Sequence, residues 1–156
     1  MEKHYRLSKS NKMNYDNRIL LYKTLHDRLK NVEDCGKMLN YALLNKGGYS
    51  VNYKKEIVLN NNTFWYALKI QDTKRFIIED KFNTIYNVWR EYDILLKCTK
   101  LVLDKVTCNL PMIYDLEICE DKVIFYNELA NGSFLDWICI EHSEEEWESF
   151  LFQLWV

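Results

Sequence analysis

Few side chains in this 156-residue chain are spaced for chemistry. Its cysteines (Cys35, Cys98, Cys108, Cys119, Cys139) are five, an odd number, and no CxxC pair exists to hold zinc or run a redox cycle. They read as free, buried or half-buried thiols in a reducing compartment. His4, His26 and His142 are scattered through polar stretches and read as solvent-facing, so no metal ligand set is expected. No Ser/His/Asp group has the spacing for nucleophilic hydrolysis. What remains is a lysine on a strand and two carboxylates on a helix. In Tyr66-Ala67-Leu68-Lys69-Ile70 the alternation of a strand puts Ala67 and Lys69 on one face. Glu91 and Asp93 follow in Trp89-Arg90-Glu91-Tyr92-Asp93-Ile94-Leu95-Leu96. Taken singly, Lys69 is an ordinary half-exposed strand lysine, and the two acids are solvated surface groups.

The elements that would position these residues follow from period and punctuation. Residues 1–17 are polar and aperiodic and read as a mobile leader. From Arg18 to Lys30 the apolar Ile19, Tyr22, Leu25, His26 and Leu29 recur at helical spacing, and a second short helix is expected over Glu33–Leu43. Gly47-Gly48 breaks that pattern and the period changes to two. Ser50–Val58 and Thr63–Gln71 flank Asn60-Asn61-Asn62, a cluster that accepts left-handed turn conformations, so a β-hairpin is expected. Arg75–Ile78 is either a further strand or a loop. Lys81–Lys97 is helical, with Ile85, Val88, Trp89, Tyr92, Leu95 and Leu96 apolar. Strands Met112–Ile118 and Lys122–Tyr126 follow, then a short helix Phe134–Ile138. A last helix, Ser143–Val156, opens on the capping box Ser143/Glu146 and carries Trp147, Phe150, Leu151, Leu154 and Trp155 in one stripe. The fold class is α+β with a small antiparallel sheet.

Composition bounds the rest. Apolar residues make up 48% and aromatic residues 15%, enough for a real core. A net charge of −2 lacks the basic excess that non-specific nucleic-acid binding needs. No run of 18 apolar residues occurs, and the polar N-terminus is no signal peptide, so the chain reads as soluble and intracellular, with no membrane partner.

Taken together, the motifs resemble the N-terminal, ATP-holding lobe of a eukaryotic-type protein kinase over about Leu44 to Val156. Tyr66-Ala67-Leu68-Lys69-Ile70 is similar to the V-A-I-K strand, whose lysine holds the α- and β-phosphates; the Glu91 helix is similar to the one whose glutamate pairs with that lysine. Asp93 is an alternative partner, two residues off the preferred face. Asn109-Leu110-Pro111-Met112-Ile113-Tyr114 resembles the run entering the fourth kinase strand. Val123–Tyr126 with Asn127-Glu128-Leu129-Ala130-Asn131-Gly132-Ser133-Phe134-Leu135 resembles the fifth strand, the hinge and the helix beyond. The resemblance implies ATP as cofactor, with backbone groups of Asn127, Glu128, Leu129 and Ala130 facing adenine and Tyr126 or Asn127 as gatekeeper. The ending from Ser143 resembles the first long second-lobe helix in serine/threonine kinase-like proteins of large DNA viruses, which implies host cytosol or virion.

The implied domain plan is a leader (1–17), a helical N-terminal extension (18–43), a kinase-like lobe with hinge (44–139) and the start of a second lobe (140–156). Two departures stand out. Asn45-Lys46-Gly47-Gly48-Tyr49-Ser50 replaces the glycine-rich G-x-G-x-x-G, with Asn45 and Ser50 at the outer glycine positions; Gly47, Gly48, Asn45, Ser50, Ala67 and Lys69 are the expected nucleotide contacts. The catalytic loop H-R-D-x-x-x-x-N and the D-F-G metal site occur nowhere in the chain. Mg²⁺ is therefore expected only with a second lobe, and the chain by itself should not phosphorylate anything. Three readings follow. The first is the N-terminal piece of a serine/threonine kinase. The second is a non-catalytic kinase-like module that binds a partner through Trp147, Leu151 and Trp155. The third is an unrelated α+β protein, which would lack a Lys69–Glu91 contact.

Overall fold

A computed structural model describes residues 14–29, 41–48, 50–72, 88–130 and 134–155. The elements in order are α1 (Tyr15–Leu29), β1 (Ala42–Lys46), β2 (Ser50–Leu59), β3 (Asn62–Asp72), α2 (Val88–Leu103), β4 (Ile113–Ile118), β5 (Lys122–Glu128), α3 (Phe134–Ile138) and α4 (Glu144–Trp155). The chain is α+β. Its strands make one open antiparallel sheet of five, ordered β1-β2-β3-β5-β4.

The β2–β3 hairpin forms where the asparagine cluster predicts it. Asn60 (φ 50°) and Asn61 (φ 64°) both take the left-handed conformation that a two-residue hairpin turn of matching twist requires. Two helices then cover opposite faces of the sheet. Strand alternation sends Phe64, Tyr66 and Leu68 of β3, with Ile124 and Tyr126 of β5, to one face, where they pack on Leu21, Leu25 and Leu29 of α1. Val123 and Phe125 of β5 and Ile113 of β4 point to the other face and pack on Val88 of α2, with Tyr92 and Leu95 alongside. Thr99 ties α2 to that face: its Oγ1 donates to the Leu95 carbonyl (2.8 Å) and accepts from the Ile113 N–H (2.8 Å).

Several expectations are corrected. The first helix opens at Tyr15 rather than Arg18, because the Asn14 side chain caps it by accepting from the Asn17 N–H at 2.8 Å. Its most buried residue is Leu21, which the expected face omitted. Residues 42 and 43, expected at the end of a helix, lie in β1; pairing of Ala42 with Lys54 and Leu43 with Tyr53 overrides the helical spacing of Met38, Leu39 and Ala42. The rest of that expected helix, the 75–78 segment and residues 81–87 lie outside the described residues. The helix expected to stop at Lys97 continues to Leu103. It ends there in a Schellman turn: the Val106 N–H donates to the Leu101 carbonyl (2.9 Å), the Lys105 N–H to Val102 (3.1 Å), and Lys105 takes φ 60°.

Cys119 is disulfide-bonded, against the reading of all five cysteines as free; Cys98, Cys108 and Cys139 are free thiols. Spacing along the chain excludes a CxxC motif but does not limit which residues the fold brings together. No helix among the described residues is long and apolar enough to cross a membrane.

Candidate functional site

Three rungs of the sheet carry the site. Residues directly opposite one another in an antiparallel ladder share a face. The first rung aligns Ser50, Gln71 and Val123; the second aligns Asn45, Asn52, Lys69 and Phe125; the third aligns Lys54, Ala67, Asn127 and Ile113. Asn45, Ser50, Ala67, Lys69 and Asn127, all expected from the sequence, therefore lie on one face, the face that packs on α2.

Across this face Lys69 Nζ donates to Glu91 Oε1 at 2.5 Å, and Gln71 Nε2 donates to Glu91 Oε2 at 3.3 Å. Asp93 is not the partner. Both side chains of the pair remain partly open, with 27% of Lys69 and 35% of Glu91 exposed. Glu91 lies in the first turn of α2, where the helix dipole favours a negative charge. The Lys69 ammonium also stands 5.5 Å from the Phe125 ring centroid, on its face. The arrangement holds a primary ammonium at a defined point on a rigid strand, beside the small Ala67. Such a group can bind an anionic oxygen without first losing side-chain freedom.

Gln71, Asn52 and Phe125 escaped sequence reasoning. Period two from Lys69 reaches Gln71, but only the cross-strand register identifies the other two. Gln71 is buried, and its Oε1 has no hydrogen-bond partner. Glu91 fixes that orientation, since only the amide nitrogen can donate to a carboxylate. Asn127 Oδ1 is likewise buried without a partner.

The glycine turn departs from what a phosphate cradle needs. Gly47 donates its N–H to the Ser50 carbonyl (2.8 Å), and Lys46 pairs directly with Val51, so the β1–β2 connection is a tight hairpin turn. Neither Gly47 nor Gly48 is in the left-handed region, and a Cβ at either would meet nothing closer than 3.6 Å. The turn freedom expected of Asn45 is not used; its Oδ1 instead accepts from Asn52 Nδ2 at 2.7 Å.

At the other end of the face, alternation separates the two gatekeeper candidates. Asn127 shares the Lys69 face. Tyr126 points to the α1 face, where its ring is buried and its hydroxyl donates to Glu117 Oε2 at 2.7 Å. Glu128 closes the paired register of β5 against Tyr66, and Leu129 and Ala130 follow it. The Glu128 carboxylate turns away from the Lys69 face to Arg18 of α1, which donates through Nε (2.6 Å) and Nη2 (2.8 Å). That carboxylate holds the Arg18 guanidinium above the usual arginine value, against the opposing effect of burial. Nearby on the same face, burial pushes the Tyr114 phenol far up, and the Glu128 charge adds to the effect while Arg18 opposes it.

The C-terminal helices make a separate aromatic cluster. Trp137 of α3 stacks on His142 (3.7 Å between centroids) and on Phe150 of α4 (4.8 Å), and Trp147 meets Trp137 edge-on. The capping box is formed as expected: the Glu146 N–H donates to Ser143 Oγ (3.2 Å), and the Ser143 N–H to Glu146 Oε2 (3.0 Å). A cavity of about 330 Å³ lined by Trp137, Glu145, Glu146, Ser149 and Phe150 includes none of the Lys69-face residues. Among the described residues no three His, Cys, Asp or Glu side chains are grouped to hold a metal ion. Comparison with protein-family models and with curated proteins returns no match.

Proposed function

We propose that the chain is the nucleotide-holding lobe of a serine/threonine protein kinase-like protein, with ATP bound on the Lys69 face and no phosphoryl transfer by these residues alone. The single observation that carries this reading is the Lys69–Glu91 pair, joining a lysine of β3 to a glutamate of α2 at 2.5 Å. That pairing of a strand lysine with a helix glutamate is the one by which kinases direct ammonium to phosphate. An α+β protein with kinase-like spacing by chance has no need of it. The sheet and the helix between β3 and β4 are compatible with such a lobe, and Asn127 to Ala130 would supply the edge for adenine. Magnesium would need ligands of a second lobe.

The tight Gly47 turn weakens the phosphate cover, so affinity should be modest and carried by Lys69. Calorimetric titration of the whole chain with ATP tests this. Wild-type binding that Lys69→Met and Glu91→Gln abolish supports the reading; binding unaffected by either variant, or none at all, removes it.

A second reading has its own observation. Trp147, Leu151 and Phe152 of α4 are 38%, 51% and 70% exposed, an apolar surface suited to a second lobe or a protein partner. The side chain of Trp155, expected on the same surface, lies outside the described residues. A non-catalytic module acting through α4 would bind that partner with Lys69 replaced as well as without.

A further inference from the structure

Glu128 is the last paired residue of β5, and everything that holds its carboxylate comes from the face opposite Lys69. Arg18 donates to both oxygens, at 2.6 and 2.8 Å, and the Met112 N–H donates to Oε2 at 3.1 Å. The Glu128 N–H in turn donates to the Met112 carbonyl at 2.8 Å. The same guanidinium donates to the carbonyls of Cys108 (2.7 Å) and Leu110 (2.8 Å), in the connection from α2 to β4. One turn earlier on α1, the Tyr15 hydroxyl donates to the Val102 carbonyl in the last turn of α2 (3.0 Å).

From this geometry we infer that α1 is a strut for the proposed nucleotide site. On this inference Arg18, acting through Glu128, is a positioning residue that sets residues 128–130 against the connection from α2 to β4. The inference rests on the reading of the Lys69 face given above. Leu21, Leu25 and Leu29 already seat α1 on the sheet by apolar burial, which has no direction. The first turn of α1 adds something apolar burial cannot. A guanidinium fork bonded to both oxygens of one carboxylate fixes angle as well as distance. The parts it joins are also the parts that matter to the site. The connection continues from the helix that carries Glu91, and Glu128 leads directly into Leu129 and Ala130. Loosening Arg18 therefore frees the segment that would face the base, while the Lys69–Glu91 pair itself keeps its direct contacts.

Backbone amide exchange on the whole chain, read alongside ATP titration, separates this role from plain stability. Arg18→Ala should raise exchange at residues 106–112 and 128–130 by roughly ten- to hundredfold, the range expected for loss of charged hydrogen bonds, with the β2–β3 hairpin unchanged. Arg18→Lys, which keeps the charge but not the fork, should raise it nearly as far. Glu128→Gln, which keeps shape and an acceptor, should give a smaller rise and serves if the Arg18 variants fold poorly. Leu25→Ala removes apolar contact from the same helix and leaves Arg18 in place. It should lower overall stability without the selective rise at 128–130, and it should keep wild-type ATP affinity where Arg18→Ala loses about tenfold. Wild-type exchange at 128–130 in Arg18→Lys, or identical exchange and affinity in Leu25→Ala and Arg18→Ala, overturns the strut. A selective rise in exchange with no ATP binding by the wild-type chain upholds the strut and removes the nucleotide reading instead.

Discussion

Lys69 and Glu91 lie 22 residues apart on different elements, yet their charged ends meet at 2.5 Å, while Arg18 and Glu128, 110 residues apart, meet at 2.6 Å on the opposite face of the same sheet. The two pairs differ in surroundings. Lys69 and Glu91 are 27% and 35% exposed, Arg18 and Glu128 only 12% and 14%. Ion pairs open to water contribute at most about 1 kcal/mol, because solvent screens them and ordering two long side chains costs entropy. Breaking a largely buried pair costs more, since the remaining charge stays desolvated.

Lys69→Met should therefore lower the unfolding free energy by less than about 1 kcal/mol. Urea denaturation followed by tryptophan fluorescence measures it. A near wild-type midpoint combined with lost nucleotide binding would assign Lys69 to ligand rather than to fold.

Arg18→Ala should lower stability by about 2–4 kcal/mol, since it leaves the largely buried Glu128 carboxylate with the Met112 N–H alone and takes the Arg18 donor from the Cys108 and Leu110 carbonyls. The same denaturation measurement applies, and the loss should exceed that of Lys69→Met by at least about 1 kcal/mol.

Tyr114 is buried and its hydroxyl has no hydrogen-bond partner. Tyr114→Phe should be neutral or stabilise by up to about 1 kcal/mol, because it removes a desolvated polar group and keeps the ring. The pH dependence follows from the same burial. Desolvation raises Tyr22, Tyr92 and Tyr114 above the ordinary tyrosine value of 10.0, with Asp115 adding to the first two. The folded chain then retains protons that the unfolded chain releases, so stability is full below pH 10.0 and falls as pH rises beyond it. Urea midpoints taken across that range should fall less steeply in Tyr114→Phe than in the wild type.

Lys105 and Asn61 hold left-handed conformations that glycine adopts without strain. Asn61→Gly and Lys105→Gly should each stabilise by about 0.5–1 kcal/mol. The Lys105 gain should be the smaller after loss of its ammonium from the Tyr15 ring, 5.9 Å away. Thermal melts of the single variants check both.

Local signals carried much of the fold. Period two on either side of Asn60–Asn62 marked the hairpin, and alternation from Ala67 to Lys69 marked the site face. The Ser143/Glu146 box marked the start of α4. What escaped was set by partners distant in sequence. β1 is a strand because β2 pairs with it, although Ala42 continues the helical spacing of Met38 and Leu39 before it. Asn52 and Phe125 join the site through register. Glu128 belonged to an expected nucleotide edge, but no local pattern could foretell that Arg18 would draw its carboxylate to the other face.

The most direct test of the central claim is chemical labelling with an acyl phosphate of ATP. A lysine amine held beside the phosphates attacks the acyl carbonyl, keeps the acyl group as an amide and releases ATP. The account predicts that mass spectrometry finds Lys69 acylated ahead of the other lysines, with excess ATP protecting it and Glu91→Gln slowing it. Labelling spread over surface lysines such as Lys23 and Lys100, with no protection by ATP, would contradict it.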